Sequence, residues 1–117
     1  MKKLTKSFGQ HYLVEYIDCN PEKIKFVREV KNTFLHAVEI SEATTLEHYF
    51  WQFDPVGVTG MVMIAESHFS VHTWPEDNYA AFDILTCGEM YPQKAIELIK
   101  NEFEAQKIDI QVIERGY

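Results

Sequence analysis

Four consecutive stretches decide the fold: VTGMVMIA (58–65), HFSVHTW (68–74), PEDN (75–78) and YAAFDIL (79–85). The first, second and fourth are short and rich in β-branched and aromatic residues, and turn-forming residues bound them. That is the pattern of strands. Pro75-Glu76-Asp77-Asn78 supplies a tight turn, and Asp54-Pro55-Val56-Gly57 supplies another just upstream. Connections this short join antiparallel neighbours, because a parallel pair needs a long crossover. Working outward, 44–53 reads as a further strand, and 8–18 mixes aromatic, aliphatic and polar residues in rough alternation. At the far end, 107–114 alternates Ile108, Ile110 and Val112 against Asp109, Gln111 and Ile113. Asn20-Pro21-Glu22 predicts a helix start, with asparagine as cap and proline in the first position. Ile24, Val27, Val30, Phe34 and Val38 then recur at helical steps. Pro92 opens a second helix carrying Ala95, Ile96, Ile99 and Phe103 on one face. The expected architecture is an α+β two-layer sandwich, a mainly antiparallel sheet with two helices packed on one face. The other sheet face must be polar or covered.

The chain has 117 residues, 46% of them apolar and 25% charged, which fits one globular domain spanning 1–117. The net charge of −7 argues against a nucleic-acid binder, which needs a basic face. Cys19 and Cys87 are too few for a disulfide scaffold. Gln10, His11 and Glu15 interrupt any apolar run after the basic start, so no signal peptide is expected. No window approaches the roughly 18 apolar residues of a membrane span. A soluble, cytoplasmic protein is expected. The eight Phe, six Tyr and two Trp favour association, since aromatic residues are enriched at interfaces.

Chemistry concentrates between 66 and 87, where Glu66, Ser67, His68, Ser70, His72, Glu76 and Cys87 fall together. His68 and His72 share a strand face, and Cys87 or His48 adds a possible metal ligand. A strand separates i and i+4 by roughly 13 Å, too far for one ion. Ser67 or Cys87 activated by His72 would make a nucleophile pair, but no Gly-x-Ser-x-Gly surrounds Ser67.

Glu66-Ser67-His68-Phe69-Ser70-Val71-His72-Thr73-Trp74-Pro75-Glu76 resembles the signature Glu-Ser-His-Leu-(Thr/Ser)-Ile-His-Thr-Trp-Pro-Glu of the prokaryotic S-adenosylmethionine decarboxylases. Gly57-Val58-Thr59-Gly60 is similar to that family's Gly-Val-Ser-Gly. Tyr79-Ala80-Ala81, Thr86-Cys87-Gly88 and Gly9-Gln10-His11 with Glu15 and Cys19 extend the likeness over nearly the whole chain. The resemblance implies a proenzyme cut between Glu66 and Ser67 into a β fragment 1–66 and an α fragment 67–117. The serine attacks the preceding carbonyl, the ester is lost by β-elimination, and residue 67 becomes a pyruvoyl group. That group takes the substrate amine as a Schiff base and draws electrons as CO₂ leaves, supplying aminopropyl groups for spermidine synthesis. By the same resemblance, Thr59 is the processing hydroxyl, His72 the processing proton acceptor and donor, and Cys87 the proton donor in decarboxylation. Phe53 matches the aromatic that stacks on adenine, and Glu76 the acid that holds the ribose hydroxyls. Phe69 lies beside the cleavage site and is expected to wall the same pocket. No metal is implied. The implied assembly is a homodimer of αβ pairs, with residues from both protomers at each site.

Three positions depart from the family pattern: Thr59 for serine, Phe69 for leucine and Gln10 for a frequent arginine. Threonine keeps the hydroxyl but stiffens χ1, so slower processing is expected. The departures leave room for a pyruvoyl-dependent arginine or ornithine decarboxylase on this scaffold, though Phe53 and Glu76 favour S-adenosylmethionine. A non-cleaving pseudoenzyme or binding module is a third possibility, and a metal-dependent hydrolase using His68, His72 and Cys87 a fourth.

Overall fold

The computed structural model describes residues 4–65 and 67–117. Glu66, on the amino side of the expected cut, lies outside the described residues, as do residues 1–3. The strands are β1 (Ser7–Ile17), β2 (Thr45–Gln52), β3 (Val58–Ile64), β4 (Ser67–Trp74), β5 (Tyr79–Thr86) and β6 (Lys107–Gly116). The helices are α1 (Val27–Ile40) and α2 (Pro92–Glu102). The strands form a six-stranded sheet in the order β2-β3-β4-β5-β1-β6. Every pairing is antiparallel. The expected α+β sandwich is therefore present, with the first strand inserted between the fifth and the last.

Period-two alternation sorts the side chains. Tyr12, Val14 and Tyr16 of β1, Val58, Val62 and Ile64 of β3, Phe69 and Val71 of β4, and Ala80, Phe82 and Ile84 of β5 are buried. They meet Val30, Phe34, Ala37 and Val38 of α1 and Ala95, Ile96 and Ile99 of α2 in a single core. Phe34 is its aromatic hub: its ring lies 5.0 Å from Phe82, 6.1 Å from Phe103 and 6.4 Å from Phe50. Tyr16 donates its hydroxyl to the carbonyl of Ile96 at 2.8 Å, which fixes β1 to α2.

The start of the first helix differs from its sequence reading. Asn20 does cap a turn, its Oδ1 accepting the amide of Glu22 at 3.0 Å, but that turn is a short 3₁₀ piece, Pro21–Lys23. The α-helix begins only at Val27. The β2–β3 hairpin explains the break. The amide of Gly57 and the Nε2 of Gln52 both donate to the carbonyl of Lys25, each at 2.9 Å. Gln52 Oε1 also accepts the amide of Val27 at 2.7 Å. Backbone groups around Lys25 are thus drawn into the hairpin, and the helix restarts beyond it.

The face away from the helices is only partly polar. It exposes Tyr49, Trp51, Met61, Met63 and Trp74 beside His72. No helix among the described residues is long and apolar enough to cross a membrane. Replacing Phe34 with alanine removes the hub ring. The expected cost is about 3–5 kcal/mol, read as a lower urea midpoint at unchanged slope.

Candidate active site

The residues singled out in the sequence gather at two separate ends of β4. At its carboxyl end, register sets Thr59 directly opposite His72. Thr59 Oγ1 and His72 Nδ1 are 3.0 Å apart, a hydrogen bond between neighbouring strands. A cavity of about 270 Å³ opens here, lined by Phe53, Thr59, His72, Trp74 and Glu76 among others. Phe53 is half exposed, so its ring is available to a flat ligand. Glu76 sits in the 3₁₀ turn Pro75–Asp77, which closes on Asn78 in the left-handed conformation and returns the chain as β5. Behind the cavity, Thr73 Oγ1 accepts the amide of Val58 at 2.9 Å and donates to the carbonyl of Ile24 at 2.8 Å. This buried hydroxyl fastens β3 and β4 to the capped turn.

Ser67 and Cys87 occupy the other end. Ser67 is the half-buried first residue of β4, paired with Ile64 on one side and Thr86 on the other. Cys87 follows Thr86, is exposed and forms no disulfide. A second cavity, about 390 Å³, is lined by Gly9, Gln10, Tyr12, Cys87 and Gln93 among others. Gly9 permits this arrangement: its φ is +149°, and a Cβ there would lie 2.4 Å from the Thr86 carbonyl oxygen. Gln10 accepts from the Tyr12 hydroxyl at 3.0 Å and donates to Glu114 at 2.8 Å.

Ser67 and His72 are five residues apart on one strand, roughly 16 Å at strand rise. They also lie on opposite faces of the sheet by register. The structure thus brings Phe53, Thr59, His72 and Glu76 together, and Ser67 near Cys87, but does not join the two groups within one chain. Phe69 is fully buried against Phe82 at 5.6 Å, on the core side of β4, and lines neither of these two cavities.

His68 points to the open face and has partners the sequence reading did not join. Asp83 Oδ2 lies 2.5 Å from His11 Nε2 and 3.4 Å from His68 Nε2, and Ser70 donates to Asp83 Oδ1. Burial raises the Asp83 carboxyl, but hydrogen bonds from His11, Ser70 and His68, with the charge of His68, outweigh it and hold the group below its ordinary value. Asp83 was not among the candidates. Its signal is an acid between Phe82 and Ile84 in an otherwise apolar strand. The possible metal ligands that gather among the described residues are His11, His68 and Asp83. Neither His72 nor Cys87 joins them, so the set drawn for a metal-dependent hydrolase does not assemble. At the other end of β5, burial and a hydrogen bond to Glu15 push the Tyr79 hydroxyl up to about 12, so it serves as a donor and not as an acid.

Comparison with known proteins places this geometry in a lineage. Residues 10–116 match the family described as S-adenosylmethionine decarboxylase. The S-adenosylmethionine decarboxylase proenzyme of Pyrococcus furiosus is 42% identical over 111 residues, covering 94% of this chain and 80% of that protein. The proenzyme of Thermotoga petrophila is 40% identical, covering 95% of this chain and 86% of that protein. The crystal structure of the adenosylmethionine decarboxylase from Aquifex aeolicus superposes with a TM-score of 0.88 at 34% identity. It covers 97% of this chain and 94% of that one. With candidate residues gathered at the two ends of β4, the chain belongs to the S-adenosylmethionine decarboxylase family, as a proenzyme of the prokaryotic type.

Proposed function

We propose that this chain cuts itself between Glu66 and Ser67 and then decarboxylates S-adenosylmethionine, in sites shared by two copies. The observation that carries the reading is the convergence of Phe53, Thr59, His72 and Glu76 on one cavity in a member of this family. Ser67 fits the source of a pyruvoyl group: a half-buried hydroxyl residue opening a strand beside an exposed thiol. When formed, that group supplies an electron-accepting carbonyl next to the substrate's α-carbon. His72, with Nδ1 engaged by Thr59, keeps Nε2 for moving a proton during processing. The thiol of Cys87 returns a proton to the α-carbon after CO₂ departs. The Phe53 ring stacks on adenine, and its π face favours the nearby sulfonium. The carboxylate of Glu76 accepts hydrogen bonds from the ribose hydroxyls. Phe69 supports β4 from the core and does not touch the substrate. A cytoplasmic setting suits a chain whose Cys87 must stay out of a disulfide.

Distance supports the shared site. His72 of one chain is out of reach of its own Ser67, so the processing histidine comes from a second copy. The exposed Tyr49, Trp51, Met61 and Met63 give that copy an apolar face to cover.

Intact mass under denaturing conditions tests the cleavage. Wild type is expected as fragments 1–66 and 67–117, the second lacking an amine terminus, and Ser67→Ala as one chain. A single full-length mass after long incubation would favour the non-cleaving binding module. Cys87→Ala is expected to cleave normally and lose CO₂ release by about a hundredfold or more. Wild type should release CO₂ from S-adenosylmethionine faster than from arginine or ornithine, and the reverse order would replace the substrate. Co-expression of His72→Ala with Ser67→Ala checks the sharing. Neither variant alone cleaves, and in the mixture only the His72→Ala chain is cut. A mixture that stays uncut refutes the shared site.

A further inference from the structure

The cluster around Asp83 is not used by the chemistry above, although it adjoins the residue that carries it. Asp83 sits in the middle of β5, with β4 on one side and β1 on the other. Its register partners are Ser70 and Leu13. His68 and His11 flank it diagonally, both opposite Leu85, with their rings 6.1 Å apart and edge to face. The carboxylate accepts from all three polar side chains. Arg115 of β6 donates from Nη1 to His11 Nδ1 at 3.2 Å, so the His11 hydrogen is on Nε2 and points at Asp83. The same three ligand atoms lie within 4.8 Å of one another, a spacing a divalent metal accepts. The Arg115 donor argues against that occupant, because a metal on Nε2 would require the hydrogen on Nδ1, facing the guanidinium.

We propose that Asp83 is a positioning residue that clamps the newly made end of the α fragment. The inference rests on the cleavage proposed above. Before the cut, residue 67 is held by chain on both sides. After it, residue 67 is a chain end, and chain ends fray unless tied down. The reactive carbonyl then sits at the one position of β4 most prone to open. His68 is its immediate neighbour, and the imidazole is tied through Asp83 to the centre of the sheet. His11 belongs to 1–66 while Asp83, His68 and Ser70 belong to 67–117, so the clamp also joins the two fragments by side chains. It acts through His68 on where residue 67 lies and touches no substrate atom.

Asp83→Asn preserves volume and removes the charge, and His11→Gln removes the tie from β1 alone. Both variants are expected to cleave fully and to contain the same pyruvoyl end group by mass. Their kcat is expected to fall about tenfold or more with KM within about twofold, the mark of lost orientation and not lost binding. Hydrogen exchange gives the readout a merely structural role would not move. Amides at 68–70 should exchange faster in cleaved Asp83→Asn, yet stay protected when the same change is made in the uncut Ser67→Ala chain. Unchanged kcat, or equal loosening in cut and uncut forms, overturns the clamp while leaving the decarboxylase standing. Stoichiometric zinc in wild type that His11→Gln loses would assign the cluster to a metal instead. A wild type that never cleaves overturns both proposals, because no chain end would exist to clamp.

Discussion

The alternation of β4 is the constraint on which the rest depends. Phe69, Val71 and Thr73 point into the core, while His68, Ser70, His72 and Trp74 point away from the helices. A slip of one residue against β3 would exchange the two sets, burying two imidazoles and exposing an aromatic ring that belongs with Phe82. Core packing therefore enforces the register that sets Thr59 against His72 and Ser70 against Asp83. These pairs need no separate device to align them. They inherit their geometry from the hydrophobic side of the same strand.

The order of strands adds a second consequence. Segment 1–66 contributes β2, β3 and β1, and segment 67–117 contributes β4, β5 and β6, yet the sheet runs β2-β3-β4-β5-β1-β6. The segments interleave: β1 lies between β5 and β6, and β3 pairs with β4. α1 packs on α2 across the same division. Separating the segments would break three strand pairings and split the core, so the two would stay joined after a cut at 66–67. The proposed cut falls between the end of β3 and the start of β4.

Much of this was legible in the sequence because it is local. The hairpin turns, the alternation and the helical spacing each act over a few residues, and they gave the elements and the sheet's character. The capped turn at Asn20 was legible too, but its extension into a helix was not. The competitor for Lys25 and Val27 is a glutamine from the β2–β3 hairpin, distant in sequence. Non-local pairing also hid the role of Asp83, whose partners His11 and His68 come from different strands. The family signature located Phe53, Thr59, His72 and Glu76 as a group, and they share a cavity. It also drew Phe69 toward the ligand by proximity to Ser67, whereas the structure places that ring in the core beside Phe82.

Thr59 shows how a departure from a pattern is absorbed. Its extra methyl restricts χ1 and suits a strand, where β-branched residues pack well. The rotamer it holds keeps Oγ1 at 3.0 Å from His72 Nδ1. A serine at that position would make the same bond but give up more rotamer freedom in doing so. The methyl therefore stiffens the hydroxyl in the orientation that faces the histidine. Any rate it takes from the proposed processing must come from bulk near the reacting atoms and not from a lost hydrogen bond.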